Sequence, residues 1–263
     1  MSLISLGFPE LAIAAGLVLI VSLLGLPLRL GITAQILVAA ARMVAQLLLV
    51  GIVLEALFQF SSLPWIAAIA TFMILVAARE VTARQSRPFK GIWRYGIGAL
   101  AMFLSSFSVA VLALLVIVRP EPWFAPQYAI PLLGMLLGNT MNGLAIALDN
   151  LTQNAHLQRE VIETRLACGE AAAQAISDVR RSAIRAGMIP TVNAMAVAGL
   201  VSLPGMMTGQ ILAGTPPAEA VRYQILIMFL ISAGVGFGTL GASWLGARRL
   251  FDERDRLRLD RLS

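Results

Sequence analysis

Apolar residues along this chain fall into long unbroken runs, each closed by arginine, proline or a polar cluster, with none of the two-residue alternation of a half-buried strand. Runs over residues 11–24, 36–58, 63–78, 97–118, 129–148, 188–214 and 220–246 predict seven membrane-crossing helices. The third is short against the roughly 20 residues a bilayer asks for. The sixth is interrupted at Pro190 and again at Pro204 and Gly205. A membrane barrel would instead show short alternating segments, so the fold class expected is all-α and polytopic. The first run follows Pro9 and Glu10 and lacks a cationic lead, so it reads as a retained span and not a cleaved signal.

One stretch breaks the apolar pattern. Residues 149–187 are polar and basic, and within them Val161, Ile162, Leu166, Ala173 and Ile176 recur at helical spacing, with Glu163, Arg165, Glu170 and Gln174 on the remaining surface. This predicts an uninterrupted amphipathic helix over residues 161–176, too short in apolar length to span. It is either a docking element for a partner or a solvated linker.

Composition narrows the class further. Of 263 residues, 59% are hydrophobic and 13% charged, far too apolar for a water-soluble domain. The net charge of +6 comes from nineteen arginines and one lysine. These sit beside the spans, which suits membrane topology and not nucleic acid binding. Basic residues gather after the first, third, fifth and seventh runs, while only Arg119 and Arg222 lie on the other side. By the positive-inside rule the N-terminus is outside and the C-terminus cytoplasmic. The single cysteine, Cys168, excludes an intrachain disulfide.

Candidate chemistry is sparse. The only lysine, Lys90, stands between Phe89 and Gly91, so there is no Walker A loop, and the only histidine, His156, rules out a two-histidine zinc motif. The chain is therefore not expected to be an enzyme or to hold a cofactor, and no metal-ligating set can be named. Inside the fifth run Met135, Asn139 and Asn142 form a helical stripe beside Gly134 and Gly138; Asn193 precedes a second stripe, Met195, Gly199, Ser202 and Met206, in the sixth. Such stripes either pack helices through small residues and amides or line a path for a polar or metal substrate. Arg42 and Gln46 share a face of the second run, with Arg42 placed to snorkel. Gly234, Gly236, Gly238 and Gly241 in the last run predict close helix packing, within the chain or between two copies.

The strings IPTVNAMAVAGLVSLPGMMTGQILAG at 189–214, PLLGMLLGNTMN at 131–142 and ARMVAQLLLVG at 41–51 closely resemble the FetB family of ABC-transporter permeases. The resemblance implies a single transmembrane permease domain over 1–263, with 149–187 as a cytoplasmic coupling segment. It also implies a homodimer in the inner (plasma) membrane that works with a separate cytoplasmic ABC ATPase subunit and exports a metal ion such as iron; plant relatives serve aluminium tolerance. Such permeases couple through an E-A-A-x-x-x-G helix. Glu163 and Gly169 keep that spacing, although Thr164 and Arg165 replace the alanines and no Ile-x-Leu-Pro follows at the usual distance. Glu163, Arg165, Gly169 and Glu170 are thus the coupling candidates, and Met135, Asn139, Asn142, Asn193, Met195, Ser202 and Met206 the path candidates. Two rivals need no ATPase: an ion-coupled secondary transporter, which would want membrane-embedded acids where Glu55 and Asp149 lie near span ends, and a non-transporting scaffold.

Overall fold

The computed structural model describes residues 7–27, 29, 31–59 and 62–263; the side chain of Glu55 lies outside what it describes. The described residues are helical, without strands, and five helices are long and apolar enough to cross a membrane. The chain divides into two compact units, residues 1–61 with 212–214, and residues 62–211 with 215–263.

The first unit is a helical hairpin. Helix α1 (Phe8–Leu24) starts with Pro9 in its first turn and with the Glu10 carboxylate accepting from the Gly7 amide at 2.8 Å. Helix α2 (Thr33–Gln59) returns, and the two are pinned where Thr33 Oγ1 donates to the Ser22 carbonyl at 3.0 Å and Ser22 Oγ to the Thr33 carbonyl at 3.2 Å. Apolar side chains of α2 such as Leu48 and Ile52 are exposed, as a lipid-facing helix requires.

In the second unit α3 (Leu63–Ala83) is followed by a single 26-residue span, Trp93–Val118, assembled from α4 (Trp93–Met102), a π segment (Phe103–Phe107), α5 (Ser108–Leu112) and a second π segment (Ala113–Val118). Helix α6 (Pro126–Leu157) continues nine residues past the predicted end of its apolar run at Leu148, so the first part of the polar stretch is its extension. Next come α7 (Arg159–Ala167), the four-residue α8 (Ala172–Ala175), α9 (Ser177–Val197), α10 (Gly205–Leu212) and α11 (Pro217–Arg249). A short tail ends in a 3₁₀ turn (Leu259–Arg261).

The core lies along α6, whose Leu136, Leu144, Leu148 and Leu151 are buried against α11, α9, α3 and α4. Glycine sets how closely the helices approach. A Cβ on Gly187 of α9 would stand 2.6 Å from the Gly143 carbonyl oxygen of α6, and one on Gly238 of α11 would stand 2.7 Å from Leu144 Cδ1. Gly234 faces Thr140 of α6 in the same seam, whereas Gly236 looks toward Met188 and Gly241 faces open space.

Two sequence expectations change. The helix predicted over 161–176 is broken, because Gly169 adopts φ +90 and closes α7 in a Schellman turn: the Glu170 amide donates to the Arg165 carbonyl at 3.1 Å and the Gly169 amide to Leu166 at 3.0 Å. The turn resets the helical phase, so Ile162 and Ile176 are buried while Val161 and Ala173 face outward. The sixth apolar run is divided too. Helix α9 stops at Val197, Gly199 turns at φ +83, and the Val197 carbonyl receives the amides of Leu200, Val201 and Ser202 before α10 begins. Met195, Ser202 and Met206 therefore do not share one helical face.

Candidate functional site

Within the second unit, the basic loop after α3, the start of the polar stretch and the tail lie together at one end. Arg84, capping α3, donates through Nη1 to Asn142 Oδ1. The Ser86 amide donates to Asp149 Oδ1 at 2.7 Å, and Gln153 Nε2 donates to Asp149 Oδ2 at 2.7 Å and to Ser86 Oγ at 3.1 Å. The tail joins the same loop, with the Lys90 amide donating to the Arg261 carbonyl at 2.8 Å and Ser263 Oγ to the Pro88 carbonyl at 2.8 Å. Asp149, at the edge of an apolar span, is thus an acceptor that ties a loop to α6.

At this end α7, the Gly169 turn, α8 and the start of α9 form a corner. Arg165 is its hub: Nε donates to Glu170 Oε2 at 2.8 Å, and Nη1 donates to Asp178 Oδ2 at 3.0 Å and to the Ala175 carbonyl at 3.3 Å. One guanidinium spans α7, the turn, the end of α8 and the first turn of α9, using the planar fork that lysine lacks. Glu163 points outward and pairs with Arg159 at 2.8 Å, an exposed i,i+4 bridge of small energetic weight. Of the four coupling candidates, Arg165 and Glu170 hold the corner's shape, Gly169 makes its turn, and Glu163 stands on its surface. Asp178 was not picked out from the sequence; the signal was an acidic residue in the first turn of a helix, where it complements the helix dipole.

The path candidates are spread over α6, α9, the turn after it and α10. Asn139 and Asn142, with Gly143, Pro190, Thr191, Ala194, Met228 and Ile231, line a cavity of about 90 Å³ between α6, α9 and α11. Asn139 Nδ2 donates to the Met135 carbonyl at 2.8 Å. Asn193, one turn further along α9, is exposed and has no hydrogen-bond partner among the described residues. Pro190 cannot donate to the Ala186 carbonyl one turn earlier, which weakens α9 beside the cavity. Met195 is partly exposed near Asn193, Ser202 lies in the turn, and Met135 and Met206 pack against the core. The structure thus brings Asn139 and Asn142 of α6 together at one cavity, leaves Asn193 and Met195 on α9 beyond the cavity lining, and separates Ser202 and Met206 from them. Among the described residues no three His, Cys, Asp or Glu side chains converge to hold a metal ion.

The tail outside the membrane helices is built with the same care as the corner. Residues 251–257 form a hairpin closed by a Phe251–Leu257 bridge, in which the Asp252 carboxylate accepts from the amides of Arg254 and Arg256, both at 3.0 Å, and from Arg256 Nε at 2.8 Å. The Arg256 amide, foremost, holds that carboxyl well below the usual carboxylate range. Asp260 is lowered to about 2 by its hydrogen bonds from Arg258. Arg261 Nη1 donates to the carbonyls of Arg249 and Phe251 at 2.8 and 2.9 Å and so caps α11.

Comparison with known proteins follows the same lines. The chain is 40% identical to the UPF0014 membrane protein slr1647 of Synechocystis, over 87% of either chain. It is 30% identical to the probable iron export permease protein FetB of Escherichia coli, covering 94% of this chain and 93% of that one. It is also 35% identical to the UPF0014 membrane protein STAR2 of rice, over 82% and 74% of the two chains. No solved structure matches significantly. Residues 8–251 match the model of UPF0014, described as an uncharacterised protein family, and this chain, a multi-pass membrane protein, belongs to that family.

Proposed function

We propose that the chain is the membrane-spanning permease subunit of an ABC transporter, working as a homodimer in the plasma membrane with two copies of a cytoplasmic ATP-binding subunit. In this reading seven segments cross or enter the bilayer, the N-terminus lies outside, and the corner and tail face the cytoplasm. The observation that carries it is the corner itself. It is a short helical turn outside the membrane spans, rigidly braced by Arg165 and continuous with both α6 and α9, the helices that line the amide cavity. A partner that pushes on such a corner moves two spanning helices at once.

The proposed cargo is a metal ion such as iron, moved outward; the name of the relative from Escherichia coli supports this. The amide oxygen of Asn139 and the thioether of Met195 are weak ligands for such an ion, and the Asn142 oxygen, held by Arg84, joins them only when that hydrogen bond opens. Weak ligands suit a path that must also release its cargo.

The test is purification of the tagged chain from its native host in mild detergent, with assay of the eluate for ATP hydrolysis. A hydrolysing subunit whose recovery falls when Gly169 is replaced supports the reading. Stable, folded permease that never brings one down in several detergents overturns it in favour of an ion-coupled carrier.

A further inference from the structure

The hairpin at residues 251–257 does not lie flat on the protein. Its tip overhangs the corner, leaving one cleft on either side of Asp255, which lines both. The first, about 500 Å³, has a floor of Ala173, Ile176, Trp244 and Phe251, with Arg180 on one rim and Glu253 on the other. The second, about 750 Å³, runs between Glu163, Leu166 and Gly169 of the corner and Arg254 of the hairpin tip.

The tip is rigid and yet chemically idle. Asp252 fixes its backbone by accepting from the amides of Arg254 and Arg256 and holds the Arg256 side chain by a third hydrogen bond, and Asp255 takes the left-handed conformation at φ 54 that its turn needs. The side chains of Glu253, Arg254 and Asp255 have no hydrogen bond or ion pair among the described residues. A well-fixed scaffold presenting unengaged charges of both signs beside an apolar floor has the make-up of a recognition surface, with an apolar centre and a charged rim.

We infer that the hairpin and the corner form one two-cleft receptor for the ATP-binding subunit, so that docking reads residues 252–257 as well as the corner. This rests on the permease reading above. The occupant is a loop or helix end of that subunit which seats an apolar side chain on the floor by Ile176 and Phe251. It turns a basic residue toward Glu253 and Asp255 and an acidic one toward Arg180. Because both clefts are walled by the corner on one side and the tail on the other, the tail holds the partner in register over the Gly169 turn.

The experiment uses full-length chain in lipid nanodiscs and the ATP-binding subunit recovered with the wild-type chain, with affinity measured directly. The tip double variant Glu253→Arg with Arg254→Glu reverses both idle charges and leaves every hydrogen bond of the hairpin backbone in place. The expected result is affinity weakened about tenfold or more with an unchanged melting temperature. Wild-type affinity in this variant, while a Gly169 variant loses binding, overturns the receptor and leaves the permease reading standing. Failure of the wild-type chain to bind any ATP-binding subunit removes both.

A second probe does not depend on the double variant folding. Glu253→Cys, in a chain whose exposed Cys168 is changed to serine, carries a benzophenone label at the tip. A cross-linked product of permease and ATP-binding subunit supports the receptor. Its absence, when a label at Thr164→Cys on the corner does give the product, overturns it.

Discussion

The two halves of α9 are built for different work. From Ser177 to Gly187 the helix buries Val179, Ala183 and Gly187 against α6 and α11, and at Gly187 the backbones come so close that neither helix can carry a side chain. Beyond Pro190 the same helix exposes Val192, Asn193, Met195 and Val197 and then stops in a turn. At 1.5 Å per residue the whole element is about 30 Å long, reaching from the corner past the amide cavity. In the proposed mechanism the closely packed half transmits motion of the corner. In the same proposal the loosely packed half, next to the amide cavity, is where such motion changes what a solute meets.

Filling the packed half breaks this division most severely. Gly187→Leu should cost about 3 kcal/mol or more, because the new side chain meets the Gly143 carbonyl and Ala147 and no flexible neighbour can yield. The variant should melt far below the wild type in detergent or fail to accumulate. The comparable change in the loose half, Val192→Leu, should shift the melting temperature little, and equal losses at both positions would erase the contrast.

Next in size is the turn that closes α7 at the corner. Gly169→Val places a β-branched residue at φ +90 and should lower stimulated ATP hydrolysis about tenfold while expression persists. Gly169→Asn, which tolerates the left-handed region, should retain most of it. Arg165→Lys keeps the charge but loses the fork that reaches both Glu170 and Asp178, so it should uncouple partially, with transport reduced more than binding of the partner.

A smaller and more selective effect is expected on α6, at the amide cavity beside the loose half. Asn142→Leu removes the acceptor of Arg84 and one wall of the cavity, and should change the flux of cargo per ATP hydrolysed without altering partner affinity. The smallest effect concerns pH. Asp252 and Asp260 have folded pKa values below the ordinary carboxylate value near 3.9, so their contribution to tail stability is present above about pH 4. It is lost as pH falls through about 2, the folded value of Asp260. Docking should therefore be insensitive to these groups between about pH 5 and 8, as a titration of partner affinity would check.

The all-helical membrane architecture was legible in the sequence because the bilayer imposes long apolar runs, and five of the seven runs form helices long and apolar enough to cross it, while the first forms a shorter helix and the sixth is divided. The glycines at 234 and 238 were legible for a related reason, since small residues at helical spacing signal close packing. The corner was legible only as an amphipathic stretch. Helical periodicity does not register a single residue at positive φ, and Gly169 was read as part of a spacing motif when it is the point where the helix ends. Arg165 looked like a partner-facing charge, yet its bonds to Glu170 and Asp178 depend on that unseen turn. The tail was harder still. Its arginines read as topology markers, while its fold rests on contacts such as Lys90 with Asp260 and Ser263 with Pro88, far apart in sequence and without any local pattern. Breaks in the sixth run were expected at Pro190 and at Pro204–Gly205, but α9 runs through Pro190 and ends before Pro204, where Gly199 offers the turn.

The most direct test of the central claim is transport itself. Proteoliposomes containing the chain and its ATP-binding subunit, with ATP outside and ferrous iron supplied on the same side, should accumulate iron in the lumen, read by a trapped chelating dye. The account predicts that this uptake requires hydrolysable ATP and is lost in the Gly169→Val variant. Iron movement that proceeds without the ATP-binding subunit and follows an imposed ion gradient would contradict it.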